Sequence, residues 1–316
     1  MKLNLFILHF NMKKFLLKTV VISFVILVLT TLVLLASSFF VKSKEFNNYT
    51  SESNLLFLQE NYSYDVLFMG ISHARNFSRH RNHLRVEKIL DKRIINIGQG
   101  GGACGVNEQF FYLDYFLYKK NCVEKIIYVL SPPMLFSQTL PIASNTFDNE
   151  IFELSFLWRY LKFESENKKA RIMSYLQTKF HHTWLLKKPG TLESKDNFLS
   201  SLDRKAVKKG QNLAYAGDDL YLNQFKKSTK IVEQTIKLAI NANIEIILLI
   251  PPALFGKWRG HQETLNFMES MEQKYNLKII DCSESVLDPI LYYDSHHLNT
   301  KGVVYFTNKY LKPIIK

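Results

Sequence analysis

A serine in the first third of the chain and an acid–histidine pair near its end are residue types that perform nucleophilic acyl chemistry. Ser72 follows an apolar run at residues 66–69 and then Gly70, a pattern typical of a buried strand and a tight turn before a helix. A hydroxyl at a helix start lies beside backbone N–H groups that can stabilise a developing negative charge. Taken alone, Ser72 is better explained as a residue that caps the helix.

The acid–histidine pair is Asp294 and His297, three positions apart. On one loop or first helical turn, the carboxylate can orient the imidazole while the other ring nitrogen faces a nucleophile. An aspartate before a helix is also a common cap, and for the pair alone capping is the better explanation. The three residues together favour a triad in which Ser72 is the nucleophile, His297 the general base and Asp294 the orienting acid.

The elements that must position these residues are short strands alternating with helical patterns. This alternation predicts a mainly parallel five-stranded sheet with helices on both faces. The strand-like runs are at residues 66–69, 93–97, 125–130, 245–250 and 277–281. Ser72, a glycine cluster at residues 98–102, Ser131 and Pro251 each follow one of these strands. Because the active crevice of such sheets lies beyond the carboxyl ends of the strands, we expect these positions to share one edge.

Three short segments resemble the motifs of the SGNH (GDSL-like) hydrolase family. They are Gly70-Ile71-Ser72, Asn96-Ile97-Gly98-Gln99-Gly100-Gly101, and Asp294-x-x-His297 with Leu298-Asn299 and Gly302. The resemblance covers about residues 66–130 and 225–311. It implies a flavodoxin-like three-layer sandwich and ester or acyl-transfer chemistry. It also implies oxyanion donors at the backbone N–H groups of Ser72 and Gly101. No metal and no organic cofactor is expected.

The third motif of that family, which would supply an asparagine side chain as an oxyanion donor, is missing. The third strand ends instead in Leu130-Ser131-Pro132-Pro133. In this respect the chain is similar to membrane-anchored D-alanyl transfer proteins of teichoic-acid modification and to alginate O-acetylation proteins. Losing one oxyanion donor typically costs ~10²–10³ in rate. Ser131 is a candidate substitute, although a serine in a turn is the simpler explanation. His73 and Asn96 are candidates for supporting contacts.

An uncharged apolar segment at residues 20–41 matches the roughly 20 residues that cross a bilayer as a helix. Lys13, Lys14 and Lys18 precede it, so the positive-inside rule predicts a cytoplasmic N-terminus and an extracytoplasmic remainder. A cleaved signal peptide is the competing interpretation, but the length of the run favours an uncleaved anchor. Translation from Met12 instead of Met1 is an open alternative.

The resulting domain prediction has five parts. They are a basic cytoplasmic N-terminus at 1–18, an anchor at 19–41, a stalk at 42–63, a catalytic domain at 64–133 and 221–316, and a mostly helical insertion or cap at 134–220. The insertion is rich in lysine and aromatic residues and lacks strand-like runs. It would form either a lid over the site or a structural addition.

The formal net charge of +13 includes four lysines ahead of the apolar segment, which leaves +9 for the remainder. A basic surface outside the membrane can attract anionic lipid headgroups or acidic glycans. A charged surface that only keeps the domain soluble explains the same composition equally well. Nucleic acid is not an expected partner on that side of the membrane. The three cysteines lack metal-ligand spacing, and no metal site is predicted.

The sequence therefore predicts a single-pass membrane protein that acts as a serine acyltransferase or esterase through an acyl-enzyme. Its expected partners are an acyl donor, a glycan or other envelope acceptor, the membrane itself and other membrane proteins. The alternative is a non-catalytic glycan-binding or assembly protein on a hydrolase-like fold, which the missing asparagine and the basic insertion favour. A soluble cytoplasmic enzyme is a third, weaker alternative.

Overall fold

The computed structural model describes residues 12–45, 60–100, 102–181, 193–215, 217 and 220–315. Its first element is the helix α1 (Met12–Glu45). Residues Met12–Lys42 of this helix are long and apolar enough to cross a membrane. The part of the predicted stalk at 46–59 lies outside the described residues. The five-part division of the chain stays a prediction.

Five parallel strands form one sheet in the order β2-β1-β3-β4-β5. The strands are β1 (Ser63–Gly70), β2 (Ile94–Asn96), β3 (Cys122–Val129), β4 (Glu245–Ile250) and β5 (Lys278–Asp281). This is the flavodoxin-like order, in which the chain reverses direction across the sheet between β2 and β3. The predicted α/β fold class and its parallel five-stranded sheet are confirmed.

Successive side chains of the central strands enter two separate cores, one on each face of the sheet. In β3, Ile126 and Tyr128 belong to one core, and Ile127 and Val129 belong to the other. Both sets are fully buried. Strands covered on both faces read as continuous apolar runs, which is why they could be recognised in the sequence.

Two sets of helices cover the sheet. The first face carries α4 (Val106–Tyr118), α9 (Leu222–Asn241) and α10 (His261–Tyr275). The second carries α3 (Asn82–Leu90), α11 (Thr300–Phe306), the π-helical turn Thr307–Leu311 and α12 (Lys312–Ile315). In α9 the buried side chains include Val232, Ile236 and Ala239, which lie on one face of an amphipathic helix.

The described parts of the segment between β3 and α9 contain helices joined by irregular stretches. It contains α5 (Pro132–Phe136), the 3₁₀ turn Leu140–Ile142, α6 (Leu154–Lys162), α7 (Lys168–Thr178) and α8 (Arg204–Tyr215). An aromatic cluster joins α6 and α7 to α4, with Phe111 packed edge-on against Phe156 and Tyr160. These helices therefore share the core of the first face of the sheet.

Residues 72–90 form two helices, α2 (Ser72–Arg75) and α3. His80 and Arg81 adopt left-handed backbone conformations between them and so interrupt the helix.

Candidate active site

Ser72 is the first residue of α2, immediately after β1 and the turn at Gly70. Gly70 has φ +138°, and a Cβ there would lie 2.6 Å from the carbonyl oxygen of Val129. Only glycine fits this turn. The N-cap position of α2 belongs to Ile71, and no side chain caps the helix. The explanation of Ser72 as a capping serine is therefore wrong, and its hydroxyl is free to face another partner.

The loop after β5 carries Asp294 and His297 over the carboxyl ends of the strands. Tyr292 and Leu298 form an isolated antiparallel bridge that closes this loop. The Leu254 N–H, in the segment after β4, donates to the Ser295 carbonyl at 3.1 Å. The Asn76 side chain, directly after α2, donates to the Leu298 carbonyl at 2.6 Å. These contacts hold the loop beside the start of α2.

The loop brings the three predicted triad residues together in one row. His297 Nε2 lies 2.8 Å from Ser72 Oγ, and His297 Nδ1 lies 2.8 Å from Asp294 Oδ2. An ionised carboxylate can only accept, so Nδ1 carries the proton and Nε2 accepts the Ser72 hydroxyl. This is the tautomer that a general base requires.

The second carboxylate oxygen of Asp294 fixes the loop itself. Oδ1 accepts the N–H groups of His296 at 2.9 Å and His297 at 2.7 Å. Burial would raise the pKa of Asp294, but the hydrogen bond and charge of His297 outweigh it and hold the pKa well below its usual value. The cap of the following helix α11 is Asn299, whose Oδ1 accepts the Gly302 N–H at 2.9 Å. Asp294 is therefore not the helix cap that its sequence position allowed.

Tyr293 was not singled out by sequence reasoning, yet its ring stacks on the imidazole of His297. The centroids are 5.5 Å apart and the planes differ by 7°. Burial, together with the charge of Asp294, raises the pKa of Tyr293 to about 12. The neutral ring therefore acts as a flat support for the histidine. Nothing in the local pattern could have indicated this role, because an aromatic residue beside an aspartate is common in loops.

Two further histidines lie against His297. The ring centroids of His73 and His296 are 5.1 Å and 4.1 Å from that of His297. Burial lowers the pKa of His73 well below its usual value, and burial with the nearby His297 lowers the pKa of His296 to about 3. Both rings are therefore neutral at ordinary pH.

These three histidines are the residues best placed to hold a metal. Each offers one ring nitrogen, and the three nitrogens lie within 4.8 Å of one another. His297 already uses both of its nitrogens, for Ser72 and Asp294. A metal ion would therefore have to break the contact between the serine and the histidine, and the arrangement fits proton transfer better than metal binding.

A cavity of about 190 Å³ opens beside Ser72. Its polar wall includes His73, His296 and Gln99, and its apolar wall includes Trp258 and Leu213. The Trp258 ring lies edge-on to His296 at 5.2 Å. A space of this size corresponds to about six water molecules, which is enough for a small acyl group.

The glycine cluster borders the same cavity through Gly100 and Gly102. A Cβ at Gly98 would lie 2.7 Å from the Arg75 backbone nitrogen and 2.8 Å from Asn96 Oδ1. Asn96 is fully buried, donates to the Ala74 carbonyl at 2.7 Å and accepts the Gly98 N–H at 2.8 Å. Asn96 therefore ties α2 to the glycine turn. Arg75 packs against Gly100, a contact that sequence reasoning missed.

The predicted oxyanion donors have different outcomes. The Ser72 N–H belongs to the first residue of α2, where no helical carbonyl can accept it. Gly101 lies outside the described residues. Ser131 is fully buried at the end of β3, and its Oγ has no hydrogen-bond partner in the part of the chain that the structure describes. It is not part of the described cavity wall.

Among known proteins, the chain is similar to solved structures. No family model matches the chain, and no curated protein matches its sequence. One similar crystal structure is described as a "putative acylhydrolase" from Bacteroides fragilis, with 12% identity, a TM-score of 0.41, and coverage of 85% of this chain and 94% of that one. Another, a GDSL-like lipase from Bacteroides thetaiotaomicron, has 12% identity, a TM-score of 0.38, and coverage of 79% and 87%. The assignment of the fold rests on the sheet and its strand order.

Proposed function

We propose that this protein is a membrane-anchored serine acyltransferase or esterase that acts on an extracytoplasmic glycan or related envelope substrate. The observation that carries the proposal is the row of Ser72, His297 and Asp294, joined by two contacts of 2.8 Å. A hydroxyl, a correctly protonated imidazole and an ionised carboxylate in this order are the groups of nucleophilic acyl chemistry.

The reaction follows from the positions of the protons. Ser72 Oγ attacks the acyl carbonyl while His297 Nε2 takes the hydroxyl proton, and Asp294 stabilises the resulting imidazolium. His297 then gives that proton to the departing group, which leaves the acyl group bound to Ser72 as an ester. An incoming alcohol or water loses its proton to His297 and attacks the acyl carbonyl, and the bond from the acyl carbon to Ser72 Oγ breaks as His297 returns the proton to that oxygen. An alcohol gives transfer and water gives hydrolysis.

The choice of substrate rests on charge and on the size of the cavity. Helix α8 presents Arg204, Lys205, Lys208 and Lys209, and its next turn supplies Leu213 to the cavity wall. A basic helix that leads to the nucleophile suits an anionic glycan acceptor. An extracytoplasmic position of this surface is supported by the length of the apolar helix and by Lys13, Lys14 and Lys18, which precede its uncharged segment at 20–41.

Labelling with a fluorophosphonate probe tests the proposal on the full chain. The probe phosphonylates an activated serine, so we expect labelling of the wild type and none of Ser72→Ala. Ser270→Ala, at an exposed serine of α10, is the matched control and should label like the wild type. Equal labelling of Ser72→Ala and wild type would overturn the proposal.

A second candidate function is a non-catalytic glycan-binding or assembly role. It is favoured by the end of β3, where Ser131 stands in place of an asparagine and does not line the cavity. The two functions differ in what a Ser72→Ala strain would do. Loss of glycan acylation in that strain supports the enzyme, and full acylation supports the binding role.

A further inference from the structure

Helix α6 presents a stripe of large apolar side chains to the surface. Leu154, Trp158 and Leu161 are 53%, 63% and 45% exposed. Their spacing of four and three residues places them on one face of the helix, while Phe156 and Tyr160 are buried on the other. Exposed apolar patches of this kind mark an interaction surface.

The position of α6 relative to α1 indicates what covers this stripe. Near the end of α1 the side chains of Leu34, Ser37, Ser38 and Val41 are buried, whereas most earlier side chains of the helix are exposed. The Phe152 N–H donates to Ser38 Oγ at 2.7 Å, two residues before α6 begins. The end of the anchor helix is therefore attached directly to the segment that leads into α6.

The rise per residue of an α-helix gives the position of the Ser38–Phe152 contact relative to the bilayer. Residues 19–38 of α1 follow Lys18, the last lysine before the apolar segment, and at ~1.5 Å per residue they span about 30 Å, which matches the ~30 Å hydrocarbon layer of a bilayer. Ser38 is the last of these residues, so it lies where the hydrocarbon layer meets the headgroup region. The start of α6 is therefore at the membrane surface.

The chemistry of the exposed surface suits lipid headgroups. The Lys162 ammonium lies 4.7 Å from the centre of the Trp158 ring. The neighbouring helix α7 exposes Met173 and, just past its end, Phe180 is also exposed. Tryptophan with basic residues beside an apolar stripe is typical of helices that lie in the interface of a membrane.

We propose that α6 lies flat on the outer surface of the same bilayer that α1 crosses, with Leu154, Trp158 and Leu161 inserted among the lipid headgroups. The two helices together would fix the orientation of the domain, and hence of the Ser72 cavity, relative to the membrane. This inference rests on the proposed anchor and extracytoplasmic topology and not on the acyl chemistry. Lipid, and not a partner protein, covers this stripe.

Fluorescence quenching in lipid nanodiscs tests the proposal with the full chain as the only protein besides the scaffold. Cys122→Ser removes the exposed native cysteine, while Cys104 and Cys282 are buried. An environment-sensitive fluorophore is then attached to Trp158→Cys or, as the matched control, to Leu84→Cys on α3, where the native side chain is 50% exposed. The lipids are phosphatidylcholine and phosphatidylglycerol brominated near the headgroup end of the acyl chains.

We expect the label at position 158 to be quenched about twofold or more by the brominated lipids, with little quenching at position 84. Leu161→Cys provides an independent second position on the stripe and should behave like position 158. Quenching at 158 and 161 that is as weak as at 84 would overturn the proposal, because the stripe would then not be in contact with lipid. Fluorophosphonate labelling of each variant in the same nanodiscs separates this result from a failure of the proposed acyl chemistry.

Discussion

The substitution Asp294→Asn separates catalysis from loop structure at the site. Asparagine keeps one side-chain oxygen, which can still accept the backbone N–H groups of His296 and His297. Its amide group replaces Oδ2, which lies 2.8 Å from His297 Nδ1. Because this amide is a donor, Nδ1 must now accept and the ring proton moves to Nε2. That proton would point at Ser72 Oγ, and the histidine could no longer act as a base.

The size of the effect follows from the loss of the correct tautomer. A triad whose acid is replaced by asparagine loses ~10⁴ in rate with its geometry intact, which corresponds to about 5 kcal/mol of transition-state stabilisation. We expect this loss in the second-order rate constant of fluorophosphonate labelling. The thermal unfolding temperature of the variant should stay close to that of the wild type.

Asp288→Asn is the matched control in the same region. Asp288 Oδ1 accepts the Ile290 N–H at 3.0 Å and caps the 3₁₀ turn Pro289–Leu291, but it does not contact the triad. Its labelling rate should remain within about twofold of wild type, because a cap contributes only ~1 kcal/mol to stability. If Asp294→Asn labels within tenfold of the wild type, the assignment of Asp294 as the orienting acid is refuted.

Four further predictions concern stability and support of the site. Glu108→Gln should lower the free energy of unfolding by about 3–5 kcal/mol, because it leaves the fully buried Arg171 without the carboxylate 2.7 Å away. Asp114→Asn breaks a half-exposed pair and should cost about 1 kcal/mol or less in the same denaturant titration. Gly98→Ala should slow labelling of Ser72, because its Cβ would lie 2.7 Å from a backbone nitrogen of α2. Stability should fall as pH decreases from about 6.5 towards 3, because the folded-state pKa of His296 is lowered to about 3 and the unfolded chain binds more protons over that range.

Each of these predictions has a clear opposite outcome. Equal losses of unfolding free energy in Glu108→Gln and Asp114→Asn would mean that burial does not determine how much each ion pair contributes to stability. Gly210→Ala, where a Cβ meets open space within α8, is the control for Gly98→Ala and should label normally. His296→Gln should reduce the acid destabilisation by up to ~1.4 kcal/mol per pH unit, and an unchanged pH profile of stability would contradict the assigned pKa.

The fold and the triad could be predicted because their signals are local. Buried parallel strands read as apolar runs, and the ends of such strands meet at one edge of the sheet. Ser72 and His297 are 225 positions apart, yet each has a recognisable pattern around it. The sequence could not decide whether Ser72 and Asp294 are helix caps or catalytic residues, because both kinds of residue occur at the start of helices. Only the structure distinguishes the two.

Other parts of the site arise from contacts between segments that carry no matching pattern. Tyr293 stacks on His297, and Trp258 closes the cavity from the segment after β4, but both read as ordinary loop aromatics in the sequence. The attachment of Ser38 to Phe152 joins positions 114 residues apart. Such pairings depend on the packed tertiary structure and not on periodicity or propensity, so sequence reasoning could not supply them.

Trapping of an acyl-enzyme tests the central claim most directly. The full chain is incubated with p-nitrophenyl acetate, quenched in acid and analysed by peptide mass spectrometry. The proposed mechanism predicts one acetyl group on the peptide that contains Ser72, and none on that peptide in Ser72→Ala or His297→Ala. Acetylation confined to other residues, or the same acetylation pattern in wild type and Ser72→Ala, would contradict the assignment of Ser72 as the nucleophile.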